Sequence, residues 1–292
     1  MPTSVEQLES ALAAAGCERQ ECIRLITGPY NPARALQRIS EWKTALAKTG
    51  VTTDDDSVER VFMRYASEYA VERVPSQPVH EDVKALLNKE LDAYLRPRRP
   101  ADPSIEAGSY PFYVAFDMAC FHRFPAGAMD WTISGMPRSW FPKIPLRDLP
   151  RTLHFITTKM HGIKPAFYTH VAPPPRKRAM VIDKEVRRSY YRMARSLAMQ
   201  PQMIGIMTGS WLHDPAMLKE MPQLAVVNEP YIQHGGFITT VGPASADAGF
   251  LERSPERQKR YDEGTLRPMV GLAMWPRSEA IRWAEQHPEL DE

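Results

Sequence analysis

The feature that most constrains this chain is an alternation of short apolar strands with amphipathic helices from residue 166 to the C-terminus. Residues 166–171 and 203–208 have the apolar and β-branched composition of buried strands, and residues 183–199 between them carry apolar side chains at helical spacing. Further strands are predicted at 235–241 and 269–275. A helix that connects two strands of one sheet usually makes them parallel, so we expect at least one parallel crossover. The predicted fold class is therefore α/β, or more broadly α+β, with a mixed sheet.

A different pattern fills the first 95 residues, where apolar side chains recur at helical spacing. Leu36, Ile39, Trp42 and Leu46, for example, share one stripe of a helix that Pro32 begins. The next stretch contains three prolines within eight residues, and no regular helix continues through such a sequence. We therefore predict a helical region at 1–95, a linker rich in proline and arginine at 96–108, and an α/β domain that carries the function at 109–292.

Two stretches near the start of that domain receive separate predictions. Residues 109–116 are aromatic and β-branched enough for a strand, with Pro111 at its edge. Residues 127–145 are rich in tryptophan, glycine and proline, and no regular element fits them well. Long loops inside compact domains are often functional, so this second stretch is a candidate contributor to the site.

Charge and composition indicate the partners and the compartment. The chain has 37 basic and 35 acidic residues, whereas nucleic-acid and membrane-surface binders usually carry a dominant basic face, so we expect neither partner. No apolar run approaches the roughly 20 residues that span a bilayer, and the N-terminus has no basic segment before an apolar core. The odd count of cysteines, Cys17, Cys22 and Cys120, favours reduced thiols. We expect a cytoplasmic protein that acts on a small molecule, and the sequence leaves a homodimer open.

The turn Gly209–Pro215, directly after the predicted strand at 203–208, is the first candidate site. Ligands of α/β folds usually bind where strands end, so Ser210 and His213 are candidate catalytic residues. His213 can exchange a proton near neutral pH and is the candidate general base. Ser210 does not stand in a Gly-x-Ser-x-Gly sequence, so a hydrolase triad is not indicated. Asp214 is predicted to cap the helix that follows.

Two groups of basic side chains are candidates for binding an anionic ligand, although a solvated surface is the alternative for each. The first group precedes a predicted helix, whose N-terminus would itself attract an anion. The second lies at helical spacing, and arginine binds carboxylate and phosphate in a bidentate manner. The groups are Arg176, Lys177 and Arg178 in one loop, and Arg253, Arg257 and Arg260 around the helix that Ser254 begins.

Histidines provide a second chemical alternative. His154 and His161 are seven residues apart and are predicted to share a helix face, and His161 and His170 flank Phe167 and Tyr168 of the strand that follows. Together with His213 and Asp214 they would be the ligands of a metal-dependent enzyme such as an oxygenase. The spacing differs from the i, i+4 histidine pair of a zinc protease, so no metal is expected.

From Ala166 onward, the order strand, basic loop, helix, strand, turn, strand, helix, strand resembles the second half of the GNAT acyltransferase superfamily. In that family the strand-to-helix loop holds the pyrophosphate of an acyl-CoA, and the next strand splays from its neighbour to admit the thioester. The resemblance implies phosphate binding by the basic loop at 176–178, and it implies that Tyr261 protonates the departing thiolate. The glycine-containing phosphate loop of the family has no match at 174–179. Side-chain cations would replace its backbone amides, or the donor differs from free CoA.

The leading hypothesis is therefore an enzyme that transfers an acyl group from a thioester, either an acyl-CoA or an acyl-carrier protein, to a small amine. His213 would act as base and Tyr261 as acid, and most of the rate would come from placing the two substrates together. The metal-dependent enzyme is one alternative, and a non-catalytic protein that binds a ligand or a partner is the other.

Overall fold

A computed structural model describes residues 5–51, 56–96, 102, 104–172, 182–245, 251 and 254–291. Helices and a mixed sheet make up the chain, which confirms the α/β fold class. The chain divides into two units. The first contains residues 1–77 and 81–125, and the second contains residues 78–80 and 126–292.

The first unit is helical, as the spacing of its apolar residues predicts. Trp42 of the third helix packs edge-on against Phe62 of the fourth, and Phe62 lies near Phe116 of the sixth. All three side chains are buried and form the centre of the core. The elements are α1 (Val5–Ala14), α2 (Arg19–Thr27), α3 (Pro32–Ala47), α4 (Ser57–Val71), a 3-10 turn (Val74–Ser76), α5 (Glu81–Leu95), α6 (Tyr110–Ala119) and the strand β1 (Arg123–Pro125).

The prediction of a strand at 109–116 was wrong, because this stretch begins α6. Ser109 caps the helix by accepting a hydrogen bond from the Phe112 amide, and Pro111 stands in the first turn, where a missing amide costs nothing. Apolar side chains on nearly every side of α6 are buried, from Phe112 to Ala119. A helix buried all round has no polar stripe, so its sequence resembles that of a buried strand.

Unit 2 contains the sheet and the alternating elements that the sequence predicts. The stretch 127–145, where no regular element was expected, includes a strand and a 3-10 helix. The elements are β2 (Met129–Ser134), a 3-10 helix (Arg138–Lys143), α7 (Leu149–Phe155), a π-helical turn (Ile156–Met160), β3 (Ala166–Val171), α8 (Asp183–Ala198), β4 (Gly205–Ser210), a 3-10 turn (Trp211–His213), α9 (Pro215–Glu220), a 3-10 helix (Pro222–Asn228), α10 (Glu229–Gln233), β5 (Phe237–Pro243), α11 (Pro255–Asp262), β6 (Met269–Pro276), α12 (Arg277–Glu285) and a 3-10 turn (Pro288–Asp291).

The strands of unit 2 follow one another across the sheet in the order β2-β3-β4-β6-β5. β3 and β4 are parallel and α8 connects them, which confirms the predicted crossover. The β2–β3, β4–β6 and β5–β6 pairs are antiparallel. Among these strands of unit 2, β3 and β4 are thus the one parallel pair.

The two faces of this sheet are covered differently. On the first face, Trp275 of β6 packs against Tyr190 of α8 and Trp283 of α12, so we call it the helix face. On the second, Phe237 of β5 stacks on Phe155 of α7. The connection between β2 and β3 covers this second face, which we call the connection face.

The predicted linker at 96–108 is described only in part, because residues 97–101 and 103 lie outside the described residues. Within the part of the chain that is described, no helix has the length and apolar character needed to cross a membrane.

Candidate functional site

The parallel strands β3 and β4 are paired over fewer residues than the neighbouring strand pairs are. β2 and β3 pair along their whole lengths, from Met129↔Val171 to Ser134↔Ala166. β3 and β4 pair at Phe167↔Ile206 and Tyr168↔Met207, although both strands continue for three more residues. We call these strand ends beyond the last pair, residues 169–171 and 208–210, the fork.

Side chains contribute contacts where backbone pairing stops. On the helix face, the Thr208 hydroxyl donates to the Thr169 carbonyl at 3.4 Å, a long hydrogen bond. On the connection face, the Gly209 amide donates to the hydroxyl of Tyr168. Burial raises the pKa of Tyr168 and this hydrogen bond partly lowers it again, so Tyr168 is a neutral phenol at pH 7.

Gly209 is covered by the indole of Trp140. A methyl group at position 209 would overlap the six-membered ring of Trp140 and come within 2.9 Å of the Tyr168 hydroxyl. Trp140 and Tyr168 also meet edge to face, with ring centroids 6.5 Å apart. Only glycine therefore allows this close approach of an aromatic ring to the backbone of β4 at the fork.

The β2–β3 connection holds Trp140 in this position. The Met136 amide donates to the Ile163 carbonyl at 3.0 Å, which joins the two ends of the connection. Met136 and Ile144 are buried on either side of the 3-10 helix that carries Trp140. The indole is thus fixed by its own segment as well as by its contact with the sheet.

His170 lies beside Tyr168 on the same face of the fork. The half-buried imidazole places Nε2 3.0 Å from the Thr132 hydroxyl, and its ring centre is 5.3 Å from that of Tyr168. Asp130, which is fully buried, is its partner in the β2–β3 register. An imidazole oriented by a hydroxyl and adjacent to a phenol can move protons.

His213, the base predicted from the sequence, lies on the helix face. It is 2% exposed, and Nδ1 donates to the amide oxygen of Asn228 at 2.8 Å. The Asn228 amide nitrogen donates in turn to the Leu212 carbonyl at 2.8 Å, which fixes the orientation of the amide. Burial lowers the pKa of His213 to about 4, against a smaller opposing effect of the Asn228 hydrogen bond. A neutral, enclosed imidazole fits a structural role, and its catalytic role stays a prediction.

Ser210 and Asp214 organise the turn on either side of His213. Ser210 accepts a hydrogen bond from the Leu212 amide at 3.2 Å. Asp214 accepts from the Ala216 amide at 2.9 Å, which confirms it as the cap of α9, and also from the Met269 amide at 2.7 Å. Both side chains thereby have local structural partners.

The predicted ligands of an anionic donor belong to two segments of the chain. Arg176, Lys177 and Arg178 lie outside the described residues. On α11, Arg260 forms an ion pair with Glu220 at 2.8 Å, and the Arg257 amide is capped by Ser254. The guanidinium of Arg267 lies 4.8 Å from the ring centre of Tyr261, and that ring packs against an apolar cluster between α9 and β6. Donor contacts of Arg257 and Arg260 and the acid role of Tyr261 stay predictions.

The histidines of the metal alternative do not converge. His154 is exposed, and His161 follows the π-helical turn in a left-handed conformation, with φ of 58°. Across the described ranges, no three His, Cys, Asp or Glu side chains are grouped so that they could hold a metal ion.

Sequence reasoning did not identify the fork, and it named His170 only as a ligand of the metal-dependent alternative. Thr132 and Trp140 come from the stretch 127–145, whose tryptophans and length marked it as a functional candidate without indicating which side chains matter. Tyr168 and His170 alternate along β3, and this period of two places them on one face. Comparison of the chain with protein-family models, with curated proteins and with solved structures yields no match.

Proposed function

We propose that this chain transfers an acyl group from a thioester donor, an acyl-CoA or an acyl-carrier protein, to a small amine. The observation that carries the proposal is the fork, where backbone pairing between the parallel strands β3 and β4 ends three residues before the strands do. It lies where the resemblance to GNAT acyltransferases implies a splayed strand that admits the thioester.

The fork suits a donor with an extended, amide-containing arm. A ligand of this kind can align with the strand ends at 170–171 and 209–210, beyond the Thr208–Thr169 hydrogen bond, and exchange hydrogen bonds with them as an added strand would. The basic segment at 173–178 follows β3 closely in the sequence. Arg176, Lys177 and Arg178 there would bind the phosphate groups of the donor.

In this proposal, two side chains at the fork carry the protons. The amine nitrogen attacks the thioester carbonyl carbon, the carbon–sulfur bond breaks, and the amine loses a proton. His170 accepts this proton, with Thr132 orienting its imidazole. Tyr168 donates its phenolic proton to the departing thiolate and regains one from solvent or His170. In this proposal His170 and Tyr168 take the roles that the sequence suggested for His213 and Tyr261.

The test is turnover. The purified full-length chain is incubated with acetyl-CoA and, separately, with acetyl-pantetheine, each with a panel of small primary amines. Thiol release is followed spectroscopically and the acylated amine by mass spectrometry. We expect His170→Gln to lower kcat by about 100-fold or more, since a positioned base typically contributes that much. We expect Tyr168→Phe to lower kcat by about tenfold or more.

His154→Gln is the matched control, because His154 is exposed and belongs to α7, which contributes no strand end to the fork. Its kcat should equal that of the wild type. Absence of thiol release and of acylated product with every donor and amine would reject acyl transfer. Full activity of His170→Gln together with loss of activity in Tyr261→Phe would instead support His213 and Tyr261 as the residues that transfer the protons.

A further inference from the structure

We infer that the exposed side of the β2–β3 connection binds the surface of an anionic lipid bilayer. The observation that carries this inference is a stripe of exposed apolar side chains that is bordered by cations with few acidic partners. The inference uses none of the side chains assigned to acyl transfer and does not depend on that proposal. We call the exposed side chains of residues 135–165 the connection surface.

The apolar part of the connection surface lies on α7 and the turn before it. The Leu149 amide donates to the Pro145 carbonyl at 3.0 Å, so the backbone is already helical one turn before α7 begins. Leu146, Pro150 and Leu153 therefore recur at helical spacing along one side of this segment. Leu146 is 85% exposed and Leu153 is 41% exposed. Large apolar side chains thus project into solvent together.

Packing on the other side of the segment holds these apolar side chains outward. Thr152 and Ile156 are buried there, and Phe155 stacks on Phe237 of β5 with ring centres 5.0 Å apart. The segment is therefore anchored to the sheet, and turning the leucines inward would expose this buried side to water.

The charged part of the connection surface is almost entirely basic. All six of its lysines and arginines are exposed, and Asp148 is the one carboxylate among residues 135–165. Arg147 meets Asp148 at 3.5 Å, and an exposed pair of this kind is weak. The guanidinium of Arg151 lies 5.2 Å from the ring centre of Phe237. Within the described part of the chain, the other four form no ion pair. The six side chains are Arg138, Lys143, Arg147, Arg151, Lys159 and Lys164.

The order of these residues places cations beside the apolar stripe. Arg147 and Arg151 each follow a residue of the stripe, Leu146 and Pro150, so they border it at the same helical spacing. Arginine and lysine can lay their apolar stems along such a stripe while their charged heads reach phosphate groups. The leucines would enter the boundary between headgroups and acyl chains, as the apolar side of an interfacial segment does.

A lipid surface fits these features better than a protein partner does. A stable protein interface buries about 800 Å² on each side, whereas a bilayer accepts a few projecting apolar side chains with cations around them. Anionic headgroups also supply the negative charge that the connection surface lacks. The near balance of 37 basic and 35 acidic residues over the whole chain conceals this local excess of positive charge.

The experiment is co-sedimentation of the full chain with lipid vesicles. One set of vesicles is phosphatidylcholine alone, and the other contains about 30% phosphatidylserine, in the range of an anionic leaflet. Each cation near such a surface strengthens binding by about fivefold, so we expect a partition constant at least about tenfold higher for the anionic vesicles. Raising the salt from about 0.1 M to about 0.5 M should remove most of this difference through screening.

A pair of charge substitutions tests the cations. Lys143→Gln combined with Arg147→Gln should lower the partition constant for anionic vesicles by about tenfold or more. Lys219→Gln combined with Lys259→Gln removes the same number of exposed charges from α9 and α11 and is the matched control. Its partition constant should stay within about threefold of the wild-type value.

A second pair of substitutions tests the apolar stripe. Leu146→Ser combined with Leu153→Ser should also lower the partition constant by about tenfold or more, because two apolar side chains no longer enter the bilayer. Both leucines are exposed, so the fold should be retained. Ile232→Ser, at a side chain that is 65% exposed on α10, is the control and should bind as the wild type does.

Four outcomes would overturn the inference. They are equal binding to both kinds of vesicle, binding to neither, anionic binding that both double variants of the connection surface retain in full, and binding to poly-L-glutamate without binding to vesicles. The last outcome would assign the surface to an acidic protein. None of them changes the release of thiol that tests acyl transfer.

Discussion

Two residues of the second unit, Trp140 and His213, lie on glycines of neighbouring strands, but on opposite faces of the sheet. Trp140 covers Gly209 of β4 on the connection face. The imidazole-bearing residue His213 covers Gly271 of β6 on the helix face, where a methyl group on the glycine would come within 2.6 Å of the His213 Cβ. Both contacts depend on glycine, yet they serve different surroundings.

The helix-face contact encloses a polar group completely. His213 has Asn228 as its partner and an edge-on contact with Tyr231 at 5.4 Å between ring centres. On the connection face, Trp140 instead meets Tyr168, and Tyr168 lies beside the half-buried imidazole of His170, where the backbone pairing of β3 with β4 has ended. A buried polar group that is fully hydrogen-bonded contributes to stability, whereas a half-buried one at a strand end can meet a ligand. These surroundings fit a stabilising role for His213 and support the proton transfer proposed for His170.

The largest effect that tests this comparison is on stability. His213→Ala removes a buried ring and leaves the Asn228 oxygen without its donor, so we expect the free energy of unfolding to fall by about 4 kcal/mol. Urea unfolding followed by circular dichroism measures the change. The exposed His154→Ala should change it by less than about 0.5 kcal/mol. A loss below 1 kcal/mol in His213→Ala, as for a surface residue, would break the assignment of His213 to the core.

A second prediction concerns the pH dependence of unfolding. The pKa of His213 falls from 6.5 to about 4 on folding. Between pH 6.5 and pH 4, the histidine is therefore protonated in the unfolded chain and neutral in the folded chain. The stabilising contribution is present above pH 6.5 and is lost as the pH falls toward 4, by about 3 kcal/mol in total. Carboxylates also titrate at the lower end, so the difference between wild type and His213→Gln isolates the histidine. If both proteins lose stability equally between pH 6.5 and 4.5, His213 does not titrate as its burial implies.

The sequence predicts the fold better than the site. Helices and strands follow from patterns of neighbouring residues, whereas the site depends on contacts between residues far apart in the chain. The α8 crossover follows from local alternation, and β3 was predicted with its observed bounds, Ala166–Val171. β4 lies two residues later than predicted, because Gly205 and Ile206 are set by pairing with Pro276 and Trp275, far along the chain. The strand predicted at 109–116 failed because burial on all sides of α6 removes the helical stripe.

The site depends on contacts that no local pattern encodes. His213 was predicted as a general base because it follows a strand, but it is buried and bonded to Asn228, fifteen residues later. The length of the β3–β4 register decides where the fork begins, and that register joins residues separated by a whole helix. Trp140 was marked only as part of an irregular, tryptophan-rich stretch, because its partner Gly209 becomes its neighbour only after the sheet has formed.

A third prediction sharpens the comparison on the connection face. The methyl group of Gly209→Ala would push the rings of Trp140 and Tyr168 away from β4. We therefore expect a loss of about 2 kcal/mol in the free energy of unfolding. Trp140→Ala should relieve part of that strain, which gives a coupling of about 1 kcal/mol in a double-mutant cycle. The same urea titrations measure all four proteins. Additive losses would mean that the indole does not rest on Gly209.

The smallest expected effect on stability distinguishes the two histidines directly. Thr132→Val removes the hydroxyl that orients His170, and the half-buried imidazole can bind water in its place, so the loss should be at most about 1 kcal/mol. If Thr132 positions a proton acceptor, kcat should nevertheless fall by about tenfold with little change in KM, because the contact matters during proton transfer more than during binding. Thr132→Ser keeps the hydroxyl and should retain most of the rate. A loss in Thr132→Val as large as that in His213→Ala would mean that His170 belongs to the core as firmly as His213, and the functional distinction between the two faces would fail.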